Sequence, residues 1–330
     1  MELKGSKGHD MTFKRYHRYS DMLRYLEHLA AAHSDVVEVI TIGKSSQGRP
    51  LKVVKVSSGG PHTKSGALKA AVWIDGGMHG REWIAPATVL FVLKQLVENY
   101  KTNRRLVDEA DWYLMPVVNP DGYEYTHSTD RLWRKTRSSH DSGGFLSRTL
   151  SSFLFGSCEG VDLNRNFDYH WGEAGASDDP CADTYAGPRA FSEPESTAVA
   201  QFLLDHKDRV RLYLSLHSYA QMWLMPWGFT GRQPADHGDL YALGRRAVSA
   251  LSSVAGTDYK LGSTQTMLYP TSGGSEDWAK GVAGIKYAYT VELPDQGEHG
   301  FMLPASRILP TGKETFAAIR ALARAVVCKS

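Results

Sequence analysis

The sequence predicts an α/β fold, because segments with the pattern of strands alternate with segments of helical periodicity. Apolar runs typical of buried strands cover residues 70–75 and 211–216, and a third run covers residues 286–291. After the first run, apolar residues recur at helical spacing from Pro86 to Tyr100. The 330 residues contain no linker rich in Pro, Gly or Ser, so we expect one globular domain with a large core.

A candidate metal half-site follows the first predicted strand. Two glycines at positions 76 and 77 indicate a turn, and His79 and Glu82 come directly after it. A helix is predicted from about Trp83, which puts both side chains on one tight strand-to-helix turn. Two imidazoles, a carboxylate and an open position for water are the requirements of a hydrolytic zinc site. The spacing therefore predicts part of such a site.

His217 is the candidate third ligand. It ends the strand pattern of residues 211–216, and ligand sites in open α/β sheets gather beyond the carboxyl ends of strands. The alternative is an ordinary hydrogen-bonded histidine, since the chain has 13 histidines and most of them cannot bind a metal. The zinc hypothesis therefore depends on what the other segments add.

Several motifs follow one another along the rest of the chain. They are His79-Gly80-Arg81-Glu82-Trp83, Asn119-Pro120-Asp121-Gly122, residues 132–137 (Leu-Trp-Arg-Lys-Thr-Arg), residues 162–166 (Asp-Leu-Asn-Arg-Asn), His217-Ser218-Tyr219, Tyr269 with Ser272-Gly273-Gly274, and Glu292. In these motifs, from about Tyr16 to Leu322, the chain resembles the catalytic domain of the funnelin zinc metallocarboxypeptidases, of the digestive carboxypeptidase A/B type.

The resemblance implies a fold, a cofactor and an activity. The expected fold is a single α/β domain with a mixed, twisted eight-stranded sheet flanked by helices on both faces. One Zn²⁺ per chain would be bound by His79, Glu82 and His217. The expected activity is hydrolysis of the C-terminal peptide bond of peptides and proteins. Residues 16–330 would form this catalytic domain after a flexible N-terminal segment, residues 1–15. Non-proline cis peptide bonds are expected at Ser218-Tyr219 and Pro226-Trp227.

Two residues receive catalytic roles from the resemblance. Glu292 ends the predicted strand 286–291 and would be the general base, because a metal lowers the pKa of water toward ~7 and a carboxylate then suffices. Arg134 would stabilise the oxyanion beside the scissile carbonyl. The alternatives are a surface glutamate and a solvated basic face. Arg131 and Arg137, in the same basic segment, are expected on such a face.

The resemblance assigns other residues to substrate binding. Asn164 and Arg165 would hold the terminal carboxylate, a task that suits the planar fork of arginine, although a polar loop is the alternative. Tyr269 matches a mobile tyrosine that closes over the substrate, and its flanking Pro and Gly residues fit a lid loop. The alternative for Tyr269 is a packing role. Arg81 would contact the substrate further from its C-terminus.

The preferred C-terminal residue depends on Glu276. By the resemblance this position is aliphatic in A-type enzymes and aspartate in B-type enzymes, so glutamate predicts release of Lys or Arg. A hydrogen bond to a charged group contributes ~1.5–3 kcal/mol. Thr264 and Thr271 are expected to line the same pocket. If Glu276 instead turns toward Lys280, the pocket accepts neutral side chains, and the preference is of the A type.

The cysteines bear on the fold and the compartment. Cys158 and Cys181 flank the segment of Asn164 and match a disulfide of the family; the alternative is two reduced thiols in a cytosolic protein. Cys328 has no obvious partner. Residues 138–157 look longer than the corresponding loop of the family, and we expect them on the rim of the site.

Charge and hydropathy restrict the partners. The net charge of +2 and a pI of about 8.3 are too mild to indicate nucleic acid, and the lack of a run of ~18 apolar residues gives no reason to expect a membrane span. The first residues lack the apolar core of a signal peptide. Because the digestive members of the family are secreted with an inhibitory pro-segment, we expect a secreted monomer whose pro-segment is not part of this chain; an intracellular enzyme is the alternative.

Two other functions compete with a carboxypeptidase. One is a related zinc deacylase acting on N-acyl amino acids, and the other is an inactive peptide-binding module. The lid tyrosine and the Asn164–Arg165 pair argue against the deacylase. The presence of His79, Glu82, His217 and Glu292 argues against an inactive site.

Overall fold

The computed structural model of this chain describes residues 9–63, 66–139 and 158–327. From position 140 onward the predicted rim loop, residues 138–157, lies outside these ranges, and so does Cys328. Among the described residues, no helix combines the length and the apolar character needed to cross a membrane.

The described residues contain one sheet of eight strands in the order β1-β2-β4-β3-β5-β8-β6-β7. The strands are β1 (Val37–Lys44), β2 (Pro50–Val56), β3 (Ala70–Gly76), β4 (Ala110–Met115), β5 (Val210–Ser218), β6 (Met222–Met225), β7 (Lys260–Ser263) and β8 (Tyr287–Leu293). The pairs from β4 through β3 and β5 to β8 are parallel, whereas β1–β2, β2–β4 and β8–β6 are antiparallel. The prediction of a mixed eight-stranded sheet is confirmed.

Helices cover both faces of this sheet. They are α1 (Tyr19–Ala32), α2 (Ile84–Val97), α3 (Tyr100–Glu109), α4 (Pro120–Ser128), α5 (Pro194–Asp205), α6 (His237–Ala255), α7 (Thr264–Met267), α8 (Ser275–Gly281) and α9 (Ile308–Val326). Strand side chains alternate between the faces. On β3, Val72 and Ile74 enter the core beneath α2 and α9, and Trp73 enters a second core beneath α5 and α8.

The strand order positions the site. The chain goes from β3 to its neighbour β4 and later returns to pair β5 on the other side of β3. A parallel sheet has a crevice at such a reversal, outside the carboxyl ends of the strands. The turn after β3 and the end of β5 therefore meet in this crevice. The predicted helix begins at Ile84, one residue after the expected Trp83, and Tyr100 belongs to the next helix.

The backbone near the crevice carries the expected unusual peptides. The bonds Ser218-Tyr219 and Pro226-Trp227 are cis, which confirms both predictions, and Pro294-Asp295 is also cis.

Candidate active site

The turn from β3 to α2 brings the first two candidate ligands together. A Cβ on Gly76 would lie 3.0 Å from the backbone of Ala85, and Gly77 has a φ of 65°. Both positions therefore need glycine: the first for the close approach of strand and helix, the second for its left-handed backbone. His79 and Glu82 follow on this turn, and both side chains are buried.

His217, from β5, completes a buried cluster with these two residues. His217 Nδ1 lies 3.1 Å from His79 Nδ1 and 3.0 Å from Glu82 Oε2, and His79 Nδ1 lies 2.7 Å from Glu82 Oε1. One ligand atom from each residue fits within 4.8 Å of the others. This geometry brings together the three predicted metal ligands.

The chemistry of the cluster suits a divalent cation. The two imidazoles lower the pKa of Glu82 although its burial acts in the opposite direction. Burial disfavours the charged form of His217, but the Glu82 carboxylate outweighs this effect and raises the His217 pKa to about 9. Two nitrogens and a carboxylate that face one another in a buried space are the donor set of a hydrolytic zinc site. These residues therefore fit the metal that the sequence predicts.

Asp162 links the candidate metal site to Arg134. Its Oδ1 accepts from His79 Nε2 at 3.0 Å, and its Oδ2 accepts from Arg134 Nε at 3.0 Å and Nη2 at 2.8 Å. Metal-binding histidines are commonly oriented by such a carboxylate on their second nitrogen. Arg134 Nη1 also lies 3.9 Å from Glu82 Oε1. Arg134 is thereby fixed beside the candidate metal ligands.

Glu292 lies on β8 directly opposite His217 in the parallel register. Burial raises its pKa to about 7, and the nearby negative charge of Glu82 acts in the same direction. His217 and Arg134 act in the opposite direction, and Glu276 adds a further negative charge. The pKa of the predicted base therefore depends on the charges of two predicted metal ligands, the predicted oxyanion donor and the pocket carboxylate.

The predicted clamp residues lie in a short 3₁₀ turn, Leu163–Arg165. Asn164 accepts from the backbone N–H of Ser275 at 2.9 Å, and Arg165 donates from Nε to the Gly175 carbonyl at 2.8 Å. The Cys158–Cys181 disulfide is present, with Cα atoms 4.4 Å apart, so this prediction is confirmed. The turn is thus held by the start of α8 on one side and by a cross-linked loop on the other.

Glu276 is 1 % exposed and lies in the first turn of α8. Its Oε1 accepts from Thr264 Oγ1 at 3.2 Å, whereas its Oε2 has no hydrogen-bond partner among the described residues. Lys280, the alternative partner of Glu276, instead donates to Asp236 at 3.0 Å. The adjacent Asp277 accepts from the backbone of the 228–229 turn. Glu276 therefore does not turn toward Lys280.

Two predicted substrate residues lie at the mouth of the cleft. Tyr269 is 51 % exposed, and it is near enough to Arg134 to contribute to the raised pKa of that guanidinium. Arg81 pairs with Asp183 at 3.0 Å, and its guanidinium lies 4.3 Å from the centre of the Phe301 ring. Tyr269 is therefore open to solvent, whereas Arg81 is partly covered by Asp183 and Phe301.

Two arginines in the basic segment are not where the sequence predicted them. Arg131 donates to the Arg81 carbonyl at 2.8 Å, and its guanidinium lies 3.7 Å from the centre of the Trp83 ring. Arg137 lies 3.8 Å from the centre of the Tyr125 ring. The expectation of a solvated face was wrong for both, because aromatic rings attract these cations and cover their side chains.

Sequence reasoning gave no role to Asp162 although it belongs to one of the motifs. A carboxylate directly before the Asn164–Arg165 pair was the available signal. Phe301 was also missed: its ring packs against Tyr219, with ring centres 4.9 Å apart, at the mouth of the cleft. A single aromatic residue in a loop carries no sequence signal for such a position.

Comparisons with known proteins agree with this geometry. Residues 22–318 match the model of the zinc carboxypeptidase family. Carboxypeptidase B of Astacus astacus is 44 % identical over 316 residues, which cover 96 % of this chain and 98 % of that protein. Carboxypeptidase A1 of Bos taurus is 42 % identical over 307 residues, which cover 92 % of this chain and 68 % of that protein.

Solved structures give the same result. Bovine thrombin-activatable fibrinolysis inhibitor, in complex with tick carboxypeptidase inhibitor, superposes with a TM-score of 0.85 and 38 % identity over 95 % of this chain and 98 % of that chain. Carboxypeptidase A from Helicoverpa armigera superposes with a TM-score of 0.86 and 34 % identity over 96 % of this chain and 74 % of that chain. From the matching family model, the identity of these relatives and the fitting metal ligands, we conclude that the chain belongs to the zinc carboxypeptidase family and is a metallocarboxypeptidase.

Proposed function

We propose that this zinc carboxypeptidase prefers peptides and proteins that end in Lys or Arg. One observation carries the proposal: Glu276 Oε2 is buried and has no donor among the described residues. An unpaired buried carboxylate is costly, and a cation in contact with it removes much of that cost. The ammonium or guanidinium group of a C-terminal residue would supply this cation.

The surroundings of Glu276 support the same preference. Thr264 places a hydroxyl beside this carboxylate, since its Oγ1 donates to Glu276 Oε1 at 3.2 Å. Such a hydroxyl can accept hydrogen bonds from the several N–H groups of a basic side chain. Asp277 accepts hydrogen bonds from two backbone N–H groups, so Glu276 is the carboxylate left for the substrate.

The catalytic roles follow from the chemistry of each group. His79, Glu82 and His217 would hold the zinc ion, which supplies Lewis-acid assistance to the attack of water on the peptide carbonyl. Glu292, opposite His217 on β8, would take the proton of that water as general base and then pass it to the leaving amine as general acid. Arg134 would donate hydrogen bonds to the developing oxyanion.

The remaining residues would orient the substrate. Asn164 and Arg165 would bind its terminal carboxylate, Arg165 by parallel hydrogen bonds. Tyr269 would close over the bound C-terminus and exclude water. Arg81 would contact the peptide upstream of the scissile bond. We also propose that the catalytic unit is a monomer.

We also propose that the enzyme acts outside the cell. The Cys158–Cys181 disulfide supports this location, since disulfides persist in oxidising compartments and are rare in the cytosol.

The test is the release of C-terminal residues from matched blocked dipeptides that end in Arg, Lys, Phe, Leu or Glu, with and without a zinc chelator. We expect chelator-sensitive release that favours Arg and Lys over Phe and Leu by roughly one to two powers of ten. Release that favours Phe or Leu would show an A-type preference. No release from any dipeptide would contradict the assignment of the active site and revive the deacylase.

A charge reversal identifies the residue responsible. Glu276→Lys should abolish the preference for Arg and Lys and shift it toward the dipeptide ending in Glu. Glu276→Gln, which keeps the shape of the side chain, should remove the preference even if the lysine variant does not fold. Glu298→Lys, the same change at an exposed glutamate, should leave it intact. An unchanged preference in Glu276→Gln would place the determinant elsewhere.

A further inference from the structure

Behind the metal ligands, two neighbouring strands carry polar side chains on the same face of the sheet. Asp75 of β3 and Ser215 of β5 are direct register partners, and His217 follows on the same face of β5. Ser215 Oγ lies 2.7 Å from Asp75 Oδ1 and 3.0 Å from His217 Nε2. Asp75 and Ser215 are both 0 % exposed, so bulk water does not compete for these hydrogen bonds.

The direction of the hydrogen bonds follows from the acceptors. Trp73 Nε1 donates to Asp75 Oδ2 at 2.6 Å, and the other carboxylate oxygen faces Ser215. A carboxylate only accepts, so the Ser215 hydroxyl donates to Asp75 and its oxygen is left to accept. His217 then donates from Nε2, so in the neutral imidazole that a metal requires, the lone pair lies on Nδ1. Nδ1 is the His217 nitrogen that faces His79 and Glu82.

We propose that Ser215 and Asp75 are positioning residues of the metal site, which hold His217 in its Nε2–H form and keep its Nδ1 aimed at the ion. The proposal rests on the zinc site of the proposed function. It makes metal retention depend on two side chains that touch neither zinc nor substrate. Hydrogen bonds of this kind, on the second nitrogen of a ligand histidine, raise its basicity and fix its orientation.

The two ligand histidines are therefore held by different means. Asp162 bonds His79 directly, and its other oxygen is occupied by Arg134. The Ser215–Asp75 pair bonds His217 and makes no contact with Arg134 among the described residues. Removing Ser215 should therefore weaken metal binding while the oxyanion donor stays in place. Loss of Asp162 would disturb both functions at once.

The first experiment measures zinc affinity and the rate of zinc loss from the loaded enzyme in competition with a chelator. Ser215→Ala should lower affinity about 10–100-fold. Asp75→Asn should lower it less, because it acts through Ser215. Thr88→Val is the matched control: it removes a buried hydroxyl that has no partner among the described residues. Zinc affinity equal to that of the unmodified chain in Ser215→Ala would overturn the proposal.

A double-mutant cycle tests whether the two residues act in series. In the Ser215→Ala background, Asp75→Asn should cause no further loss of zinc affinity, because the connection to His217 is already broken. Losses that multiply would show that Asp75 acts independently and would contradict the chain of hydrogen bonds. If Asp75→Asn does not fold, Trp73→Phe removes one of the donors to Asp75 and serves as the second member of the cycle.

A spectroscopic readout separates this role from general loosening of the core. In the zinc-loaded protein, proton NMR should show a downfield, slowly exchanging N–H signal from each ligand histidine. Ser215→Ala should shift the His217 signal upfield and leave the His79 signal, held by Asp162, in place. Movement of both signals together would indicate a structural defect and overturn the proposal.

The outcomes distinguish this inference from the proposed function. If the unmodified chain binds zinc and releases C-terminal residues while Ser215→Ala retains zinc equally well, only the positioning role is wrong. If the unmodified chain binds no zinc, the metal site itself is wrong, and the inference falls with it.

Discussion

At the scale of single residues, the neighbours of each buried carboxylate decide whether it holds a proton. Glu82 faces two imidazoles, which lower its pKa in spite of burial. Asp162 receives Arg134 and His79, and its pKa is also lowered. Burial and the charge of Glu82 instead raise the pKa of Glu292 to about 7. Carboxyl groups with pKa values pushed in opposite directions are typical of sites that separate ligand and base roles.

Glu292→Gln tests this separation. The amide cannot take a proton from water, so turnover should fall at least about 100-fold, in line with the loss of a general base. Zinc content, measured by atomic absorption, should stay near one ion per chain because the three ligands are unchanged. Glu298→Gln, at an exposed glutamate, is the matched control and should keep full turnover. Near-normal turnover of Glu292→Gln would remove the residue from its role as base.

At the scale of elements, the loop that contains Gly175 joins the clamp to the lid. The Gly175 carbonyl accepts from Arg165, and a Cβ at Gly175 would lie 1.6 Å from the Pro270 carbonyl oxygen. Pro270 directly follows Tyr269. One loop therefore supports both the predicted carboxylate clamp and the base of the predicted lid.

Gly175→Ala should consequently impair substrate binding without loss of metal. We expect a raised KM and a lower kcat/KM for a dipeptide substrate, since either the lid base must move away from the added Cβ or Gly175 must move together with its hydrogen bond to Arg165. Gly172→Ala is a close control: Gly172 also has a positive φ, of 75°, but a Cβ there meets nothing within 4 Å. Steady-state kinetics compare the two variants. Equal effects of both substitutions would attribute the loss to backbone strain alone.

The β1–β2 hairpin is joined to α5 by the buried carboxyl group of Glu195. Glu195 of α5 is fully buried, and its Oε1 accepts from the backbone N–H of Ser46 at 2.9 Å. Its Oε2 has no partner among the described residues. Burial raises the pKa of Glu195 from 4.5 to about 8, and the charges of Glu193 and Asp121 act in the same direction. Between about pH 4.5 and pH 8, Glu195 therefore keeps its proton in the folded chain and loses it in the unfolded chain.

This difference sets a pH dependence of stability. The stabilisation from the bound proton is fully present below about pH 4.5, falls as the pH rises, and is gone above about pH 8. Compared with the unmodified chain, Glu195→Gln should raise the unfolding temperature more at pH 8 than at pH 5. The dependence of stability on pH between these values should therefore become flatter. Thermal unfolding at both pH values measures the effect, with Glu38→Gln on the exposed side of β1 as control. A pH profile unchanged by Glu195→Gln would contradict the raised pKa.

At the scale of the whole molecule, the sequence predicted the ends of strands better than the contacts between them. The apolar runs before His79 and His217 predicted both ligands at strand ends, and parallel pairing of β3 with β5 confirmed that these ends meet. The register that sets Asp75 beside Ser215 was not predictable, because the hydrophobic pattern of one strand does not identify the strand that pairs with it. Arg131 was misjudged for the same reason: its aromatic partner, Trp83, comes from a distant segment.

The zinc site ties the β3–α2 turn to β5, so metal binding should stabilise the whole domain. A ligand that binds only the folded state adds about 4.1 kcal/mol when its free concentration is 1,000 times its Kd. For a domain of this size, that corresponds to a rise in unfolding temperature of roughly 5 °C or more. Differential scanning calorimetry of the zinc-loaded enzyme, before and after chelation, measures the difference. Glu82→Gln, which removes the anionic ligand, should unfold at nearly the same temperature with and without zinc. Equal unfolding temperatures for the loaded and chelated forms of the unmodified chain would mean that the ion does not bridge these elements.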